Sequence, residues 1–227
     1  MTKVYYKMAE LLFELGSEEI PARMQSGASK NLLQLFEQHL ENAQLQPKQL
    51  QSFVTPRRLT MVLQGLPLQQ PDINIDRKGP KVGAPDKAIQ GFLKSVGLTL
   101  KDCEQRDSSK GKFWYAVYTK QGEPTAQLLL KLIPNILDEM PWKKSMRWAD
   151  NRTRWIRPIH SMLCILDGKI IPVEYANITA GNVTHGHTLM SPTTLQVTSF
   201  DNYKKQLRNA FVLLDAKERI TIIRDGA

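Results

Sequence analysis

The sequence predicts an α+β fold with mixed strands and helices and mainly antiparallel sheets. Strand-like and helix-like apolar patterns follow one another without the regular strand–helix alternation that a parallel α/β sheet requires. Turn residues join two strand-like segments directly, as in an antiparallel hairpin. The composition, with 41% hydrophobic and 23% charged residues in 227, is that of an ordinary globular protein.

The first predicted segment, residues 1–66, contains a strand, a helix and another strand. Residues 10–16 alternate in polarity, and Gly16 ends this strand. After Pro21, residues 22–43 carry apolar side chains at spacings of three and four, which is typical of an amphipathic helix. Residues 59–64 alternate as in a half-buried strand.

Residues 67–86 differ in composition from both neighbouring segments. Four prolines and two glycines occur in this stretch. Proline lacks the amide hydrogen that helices and central strands need, so neither is expected here. We predict an extended connection between residues 1–66 and a second α+β region, residues 87–227.

The second region is predicted to combine short helices with pairs of strands. The expected elements are helix 86–97, two strands within 101–120 around a turn at 107–111, helix 125–140, strands 160–166 and 169–175, helix 200–209, strand 211–214 and a helix that begins at 215. Asp167-Gly168 predicts a type I′ hairpin turn, which needs positive φ at both positions. Pro134 is expected to kink or divide its helix. The last helix has little chain left to pack on, which suggests a piece of a longer protein.

Charge and cysteine content narrow the class of partner and the compartment. The net charge of +9 favours a polyanionic partner, because binding releases counterions from phosphates. Two isolated cysteines, Cys103 and Cys164, are typical of a reducing compartment, so we expect a cytoplasmic protein. No apolar stretch is long enough to cross a membrane, and Glu10 and Glu14 interrupt the first one, which argues against a signal peptide.

Residues 142–160 form a basic stretch rich in tryptophan. They include six Lys or Arg residues and three of the four tryptophans, against a single acidic residue, Asp150. Cations bind phosphates, and aromatic rings stack on unpaired bases. The predicted RNA-binding residues of this stretch are Lys143, Lys144, Arg147, Arg152, Arg154 and Arg157. The alternative is that the tryptophans anchor a loop in the core and the cations are merely solvated.

Two other basic sites supply further candidates for RNA binding. Arg57 and Arg58 follow Pro56 and lead into a strand, where neighbouring side chains point to opposite faces. One of them is therefore expected to face RNA and the other to pair internally. Lys78 lies in the proline-rich connection, where the backbone is expected to approach a partner closely.

Motifs for catalysis are weak, and we predict no catalytic, cofactor-binding or metal-binding residue. Glu18 and Glu19 are more consistent with binding a loop amide or a cation than with acid–base catalysis. His185-Gly186-His187 lacks evident third and fourth ligands for a metal. The sequence contains no glycine-rich phosphate loop, GxSxG or HExxH motif.

Seven segments of the chain resemble sequence blocks of one family, in the family's order. The segments are 13–22, 55–59, 77–80, 88–92, 144–148, 155–160 and 184–187. The first contains ELGSEEIP and is similar to the pattern E-[IL]-G-[TS]-E-E-[LI]-P; the fifth, KSMRW, is similar to K-x-M-R-W. Together they resemble the N-terminal portion of the β subunit of bacterial two-subunit glycyl-tRNA synthetases.

The resemblance implies a role in a larger assembly. Family β subunits are several-fold longer, so further regions are expected beyond Ala227, and Met8 lies near the usual start of the family's sequences. The family's enzyme contains two α and two β subunits. Its α subunit uses ATP and Mg²⁺ to form glycyl-adenylate and to charge tRNA(Gly), while the β subunit mainly binds tRNA and completes the assembly. The resemblance thus implies a ligase subunit that lacks the catalytic site and carries no cofactor.

Two other functions remain open at this point. One is a stand-alone RNA-binding module, which would bind RNA independently of an α subunit. The other is a hydrolytic or tRNA-editing domain centred on His185 and His187, which would be indicated by bound zinc or by deacylation of mischarged tRNA.

Overall fold

A computed structural model describes residues 8–109, 111–150 and 152–227. These residues form a mixture of helices and mainly antiparallel strands, which confirms the predicted α+β class. Their contacts divide the chain into a larger unit, residues 8–70 and 123–227, and a smaller unit, residues 71–122. This differs from the predicted division into 1–66, 67–86 and 87–227, because the larger unit is discontinuous in sequence.

The helices and strands are numbered in chain order. They are β1 (Met8–Ser17), α1 (Ala22–Asn42), β2 (Gln49–Thr55), β3 (Arg58–Pro67), β4 (Ile73–Lys81), α2 (Asp86–Val96), β5 (Cys103–Ser108), β6 (Gly111–Lys120), α3 (Thr125–Asp138), β7 (Ile159–Leu166), β8 (Lys169–Ile170), β9 (Glu174–Tyr175), β10 (Ile178–Thr179), β11 (Val183–His185), β12 (Thr194–Gln196), α4 (Phe200–Asn209) and α5 (Ala216–Gly226). The described strands form one five-stranded sheet, one three-stranded sheet and two short two-stranded ladders.

The larger unit is built on the five-stranded sheet, in the order β2-β3-β1-β7-β8, with antiparallel neighbours. Its central strand β1 is buried on both faces. Leu11, Phe13 and Leu15 belong to the main core together with α1 and α3. Leu12 belongs to a second core with α4, and Glu14 shares its face, because alternate residues of a strand point the same way.

The helix predicted over residues 22–43 is confirmed as α1. Its buried residues Ala28, Leu32, Phe36 and Leu40 recur every four positions, so one stripe packs on the sheet. Helix α3 runs through Pro134 without being divided.

The smaller unit contains the three-stranded sheet β4-β6-β5 and helix α2. Its strand β4 occupies much of the predicted connection 67–86. It is an edge strand, and Pro80 falls at an irregularity of register between Lys78 and Lys81, which are positions where a sheet tolerates proline. Helix α2 covers Gly79: a Cβ there would lie 2.6 Å from the Phe92 ring.

The turns and strands predicted from local sequence are confirmed in some places and wrong in others. Asp167 and Gly168 both have positive φ and join β7 to β8, as predicted. The second strand of that hairpin is shorter than predicted and ends at Ile170. The strand expected at 211–214 is wrong, because Phe211 lies in a turn with a φ of 61° and the residues that follow it, 212–215, form no regular secondary structure. In the predicted turn 107–111, Lys110 lies outside the described residues.

Candidate nucleic-acid interface

A buried carboxylate lies at the centre of the sheet in the larger unit. Glu14 of β1 is 2% exposed. Its Oε1 accepts a hydrogen bond of 2.6 Å from the Thr184 hydroxyl, and its Oε2 accepts one from the Tyr203 hydroxyl and lies 3.3 Å from Arg58 Nε. A buried carboxylate is tolerated only with such partners, because burying an unpaired charge is very costly.

Tyr203 of α4 is held in its neutral form by this environment. Complete burial raises the pKa of its hydroxyl well above the usual value, and the negative charge of Glu14 raises it further. The hydroxyl therefore keeps its proton and donates to Glu14. It also lies 3.0 Å from the Thr60 hydroxyl, so α4 is tied to two strands of the sheet.

Arg58 is the cation of this network rather than an exposed RNA-binding residue. It is 7% exposed, and besides Glu14 it donates a hydrogen bond of 2.7 Å to the His185 carbonyl oxygen. Of the two arginines predicted as candidates for RNA binding, Arg58 is thus the one that pairs internally. Its hydrogen bond ties His185, the last residue of β11, to the five-stranded sheet.

Arg57, its neighbour, lies on the partly exposed side. Its guanidinium donates to Glu18 Oε2 at 2.9 Å, and the other oxygen of Glu18 lies 2.8 Å from His160 Nε2. The three side chains are 40–54% exposed, so each pair contributes little to stability. Glu18 is thus engaged with two neighbouring basic side chains, in agreement with a binding rather than a catalytic role.

These contacts surround a cleft of about 310 Å³ that joins four of the seven matching sequence segments. Eight of the residues that line it come from the segments 13–22, 55–59, 155–160 and 184–187, and the others are Ser161, Thr188, Ser191, Pro192 and Thr193. Its two arginines are paired with Glu14 and Glu18. The cleft therefore has little excess positive charge with which to attract a polyanion.

The two histidines of the 185–187 segment have structural contacts. His187 Nδ1 accepts hydrogen bonds of 3.2 Å from the backbone amides of Leu189 and Met190, which shapes the loop. No group of three or more His, Cys, Asp or Glu side chains suited to a metal occurs among residues 8–109, 111–150 and 152–227. The geometry gives no support to a histidine-based hydrolytic centre.

Gly186 between them is required by close packing. A Cβ at this position would lie 2.6 Å from Ala210 Cβ and 2.9 Å from the Ser191 carbonyl oxygen. We expect Gly186→Ala to lower the free energy of unfolding by about 1–3 kcal/mol, because the added methyl group has no room. Gly181→Ala is the control, since a Cβ there meets nothing within 4 Å. Urea denaturation would contradict this reading if both variants were equally stable.

The tryptophans of the basic stretch are anchors in the core. Trp155 is fully buried and packs edge-on against Trp142, with ring centroids 4.9 Å apart, and against Tyr175 at 6.1 Å. Trp142 and Trp148 pack partly buried on the main core. The structure thus favours, for the tryptophans, the alternative in which they hold the loop in place.

The cations of the same stretch are exposed, and we call them the basic surface. Its members are Lys143, Lys144, Arg147, Arg152, Arg154 and Arg157. None of them takes part in an ion pair within the described part of the chain. Arg154 donates hydrogen bonds to the side chain and the carbonyl oxygen of Ser145, and a backbone bridge joins Met146 to Trp155. The loop is thus fixed while its charges face solvent.

Lys78 lies in the smaller unit, whereas the basic surface belongs to the larger unit. Its Nζ sits 3.7 Å from the centroid of the Phe113 ring, as in a cation–π contact. In the larger unit, sequence reasoning missed Arg23 of α1, which lines a groove with Lys143 and Lys144. It also missed Thr184 and Tyr203 as partners of Glu14, because no local pattern connects positions so far apart.

Among the residues that the structure describes, no helix is long and apolar enough to cross a membrane.

Comparison with known proteins identifies the chain's relatives. Residues 11–227 match the sequence profile of a family described as the glycyl-tRNA synthetase beta subunit. The chain is 44% identical over 224 residues to the glycine–tRNA ligase beta subunits of Paracoccus denitrificans and of a Ruegeria species, covering 97% of this chain and 33% of each relative. It is 42% identical to that of Rhodospirillum centenum, covering 97% of this chain and 34% of the relative. The chain thus spans about a third of the length of these relatives.

Proposed function

This chain belongs to the glycyl-tRNA synthetase beta subunit family, and we propose that it is the part of the subunit that binds tRNA(Gly) and supports assembly with the catalytic α subunit. The assembled enzyme would be a tetramer of two α and two β subunits that attaches glycine to tRNA(Gly) in the cytoplasm. ATP and Mg²⁺ would act in the α subunit. In this division of labour the chain contributes binding and no catalytic group.

The main support for the proposed binding of tRNA(Gly) is the basic surface. Its cations are exposed and lack carboxylate partners within the described chain, so binding a phosphate costs them no existing ion pair. The loop that presents them is already ordered by buried Trp155 and by the backbone bridge from Met146. A fixed array of cations binds a phosphate backbone with little loss of conformational entropy.

The other candidate residues give weaker support to the proposed tRNA binding. Arg57 is half-exposed and would exchange the carboxylate of Glu18 for a phosphate. Lys78 remains a candidate in the smaller unit. Arg58 is excluded from the proposed RNA contacts because its guanidinium is buried.

The proposed assembly is tested by mixing the chain with the purified α subunit and tRNA(Gly). We expect all three to elute together in size-exclusion chromatography, and we expect glycyl-tRNA to form only when the α subunit is present. The reason is that, in the proposed division of labour, the α subunit activates glycine with ATP. Glycylation of tRNA by this chain alone, or elution of the chain apart from both partners, would contradict the proposal.

A further inference from the structure

A groove of about 540 Å³ runs between helix α1 and the start of the basic stretch. One wall is formed by one face of α1 and the other by the segment that follows α3. The residues that line it are Arg23, Met24, Gly27, Ala28 and Asn31 from the helix, and Pro141, Trp142, Lys143 and Lys144 from the segment. Both walls belong to the larger unit.

The rim of the groove is positively charged. Arg23, Lys143 and Lys144 are all exposed, and no carboxylate is among the described residues that line the groove. None of the three takes part in an ion pair in the described parts of the chain. Three cations that line one groove with no acidic side chain among them favour an anionic occupant.

The floor of the groove is apolar and fixed in position. Met24 and Trp142 pack partly buried on the main core, and Ala28 is buried within it. The edge-on contact with Trp155 holds the Trp142 ring in place. Above this floor the groove is open, because a Cβ at Gly27 would meet nothing within 4 Å. A rigid aromatic surface beneath a cationic rim suits an unpaired base with its phosphates.

We propose that this groove binds unpaired nucleotides of RNA, with a base against Trp142 and Met24 and phosphates on Arg23, Lys143 and Lys144. The inference rests on the proposed tRNA binding and deepens it, since it separates a site for single-stranded RNA from the rest of the basic surface. A protein segment without acidic residues is a poorer occupant, because covering these cations without carboxylates would remove them from water unpaired.

Filling the groove tests the inference without removing a charge. Gly27→Leu places a side chain in the open space, and leucine is also a better helix former than glycine. Gly91→Leu is the matched control, since Gly91 is likewise exposed in a helix with nothing within 4 Å of an added Cβ. The probes are a fluorescein-labelled single-stranded RNA hexanucleotide and a blunt-ended RNA duplex. Gly27→Leu should weaken binding of the hexanucleotide on the order of tenfold and leave duplex binding unchanged. Gly91→Leu should change neither.

A second variant acts on the rim and keeps the experiment decisive if Gly27→Leu fails to fold. Arg23→Gln removes one exposed cation from α1. It should lower the log–log salt slope for the hexanucleotide by about 0.7, as expected for one lost contact with single-stranded RNA.

The outcomes separate this inference from the proposed function. If the wild-type chain binds neither RNA, both fail. If the hexanucleotide binds equally well to wild type and Gly27→Leu, the groove assignment is overturned while tRNA binding by the basic surface stands. An unchanged salt slope in Arg23→Gln overturns it as well. Loss of α-subunit association in Gly27→Leu, with RNA affinity unchanged, would assign the groove to protein contact instead.

Discussion

Replacing Arg58 by leucine is expected to lower the free energy of unfolding by about 3–5 kcal/mol. The variant would leave Glu14 in the centre of the sheet without its cationic partner. It would also remove the hydrogen bond to the His185 carbonyl oxygen, which ties the end of β11 to the sheet. Urea denaturation monitored by circular dichroism measures the loss directly.

Two further variants establish that burial is the cause. Arg57→Leu removes the neighbouring arginine, whose ion pair with Glu18 is 40–44% exposed, and should cost at most about 1 kcal/mol. In the double variant Glu14→Gln/Arg58→Leu the unpaired charge is absent, so part of the lost stability should return. Equal stabilities for Arg57→Leu and Arg58→Leu would show that Arg58 is not the structural cation of this network.

The second large effect is expected on RNA affinity. Replacing Arg147, Arg152 and Arg157 together by alanine should weaken binding of tRNA(Gly) on the order of 10- to 100-fold at low salt, because each arginine lost removes an attraction for phosphate. These three are chosen because they are exposed and line no part of the proposed groove. Arg154 is spared because its bonds to Ser145 hold the loop. The affinity is measured by fluorescence anisotropy with labelled tRNA(Gly).

The matched control removes the same charge elsewhere. Lys204, Lys205 and Lys217 are exposed, and none forms an ion pair in the described chain. Their triple alanine variant has the same net charge as the arginine variant. It should bind tRNA(Gly) with nearly wild-type affinity. Equal losses in the two variants would mean that only the net charge of the protein matters.

Local sequence patterns predicted the elements that depend on nearby residues. The apolar spacing of α1 and the turn at Asp167-Gly168 each require only a few neighbouring side chains, so the sequence contains the whole signal. Strand β2 was missed, and the irregular segment after Phe211 was predicted as a strand. Val212 and Leu214 resemble strand residues because their side chains pack into the second core, although their backbone forms no strand.

Features that depend on contacts between residues far apart in sequence could not be predicted from such local patterns. Glu14 and Tyr203 are 189 positions apart, and only the packing of α4 on the sheet brings them together. The same holds for the discontinuous larger unit and for the groove that Arg23 shares with Lys143. For the basic stretch the sequence indicated the charge correctly, but only packing shows that Trp155 belongs to the core.

The salt dependence of tRNA(Gly) affinity tests the proposed role of the basic surface most directly. Each phosphate contact contributes about 0.7–0.9 units to the slope of log affinity against log salt concentration, so the Arg147/Arg152/Arg157 alanine variant should lose roughly two units. The Lys204/Lys205/Lys217 variant should keep the wild-type slope. If a folded Arg147/Arg152/Arg157 variant showed the same slope as wild type, the basic surface would not contact tRNA phosphates.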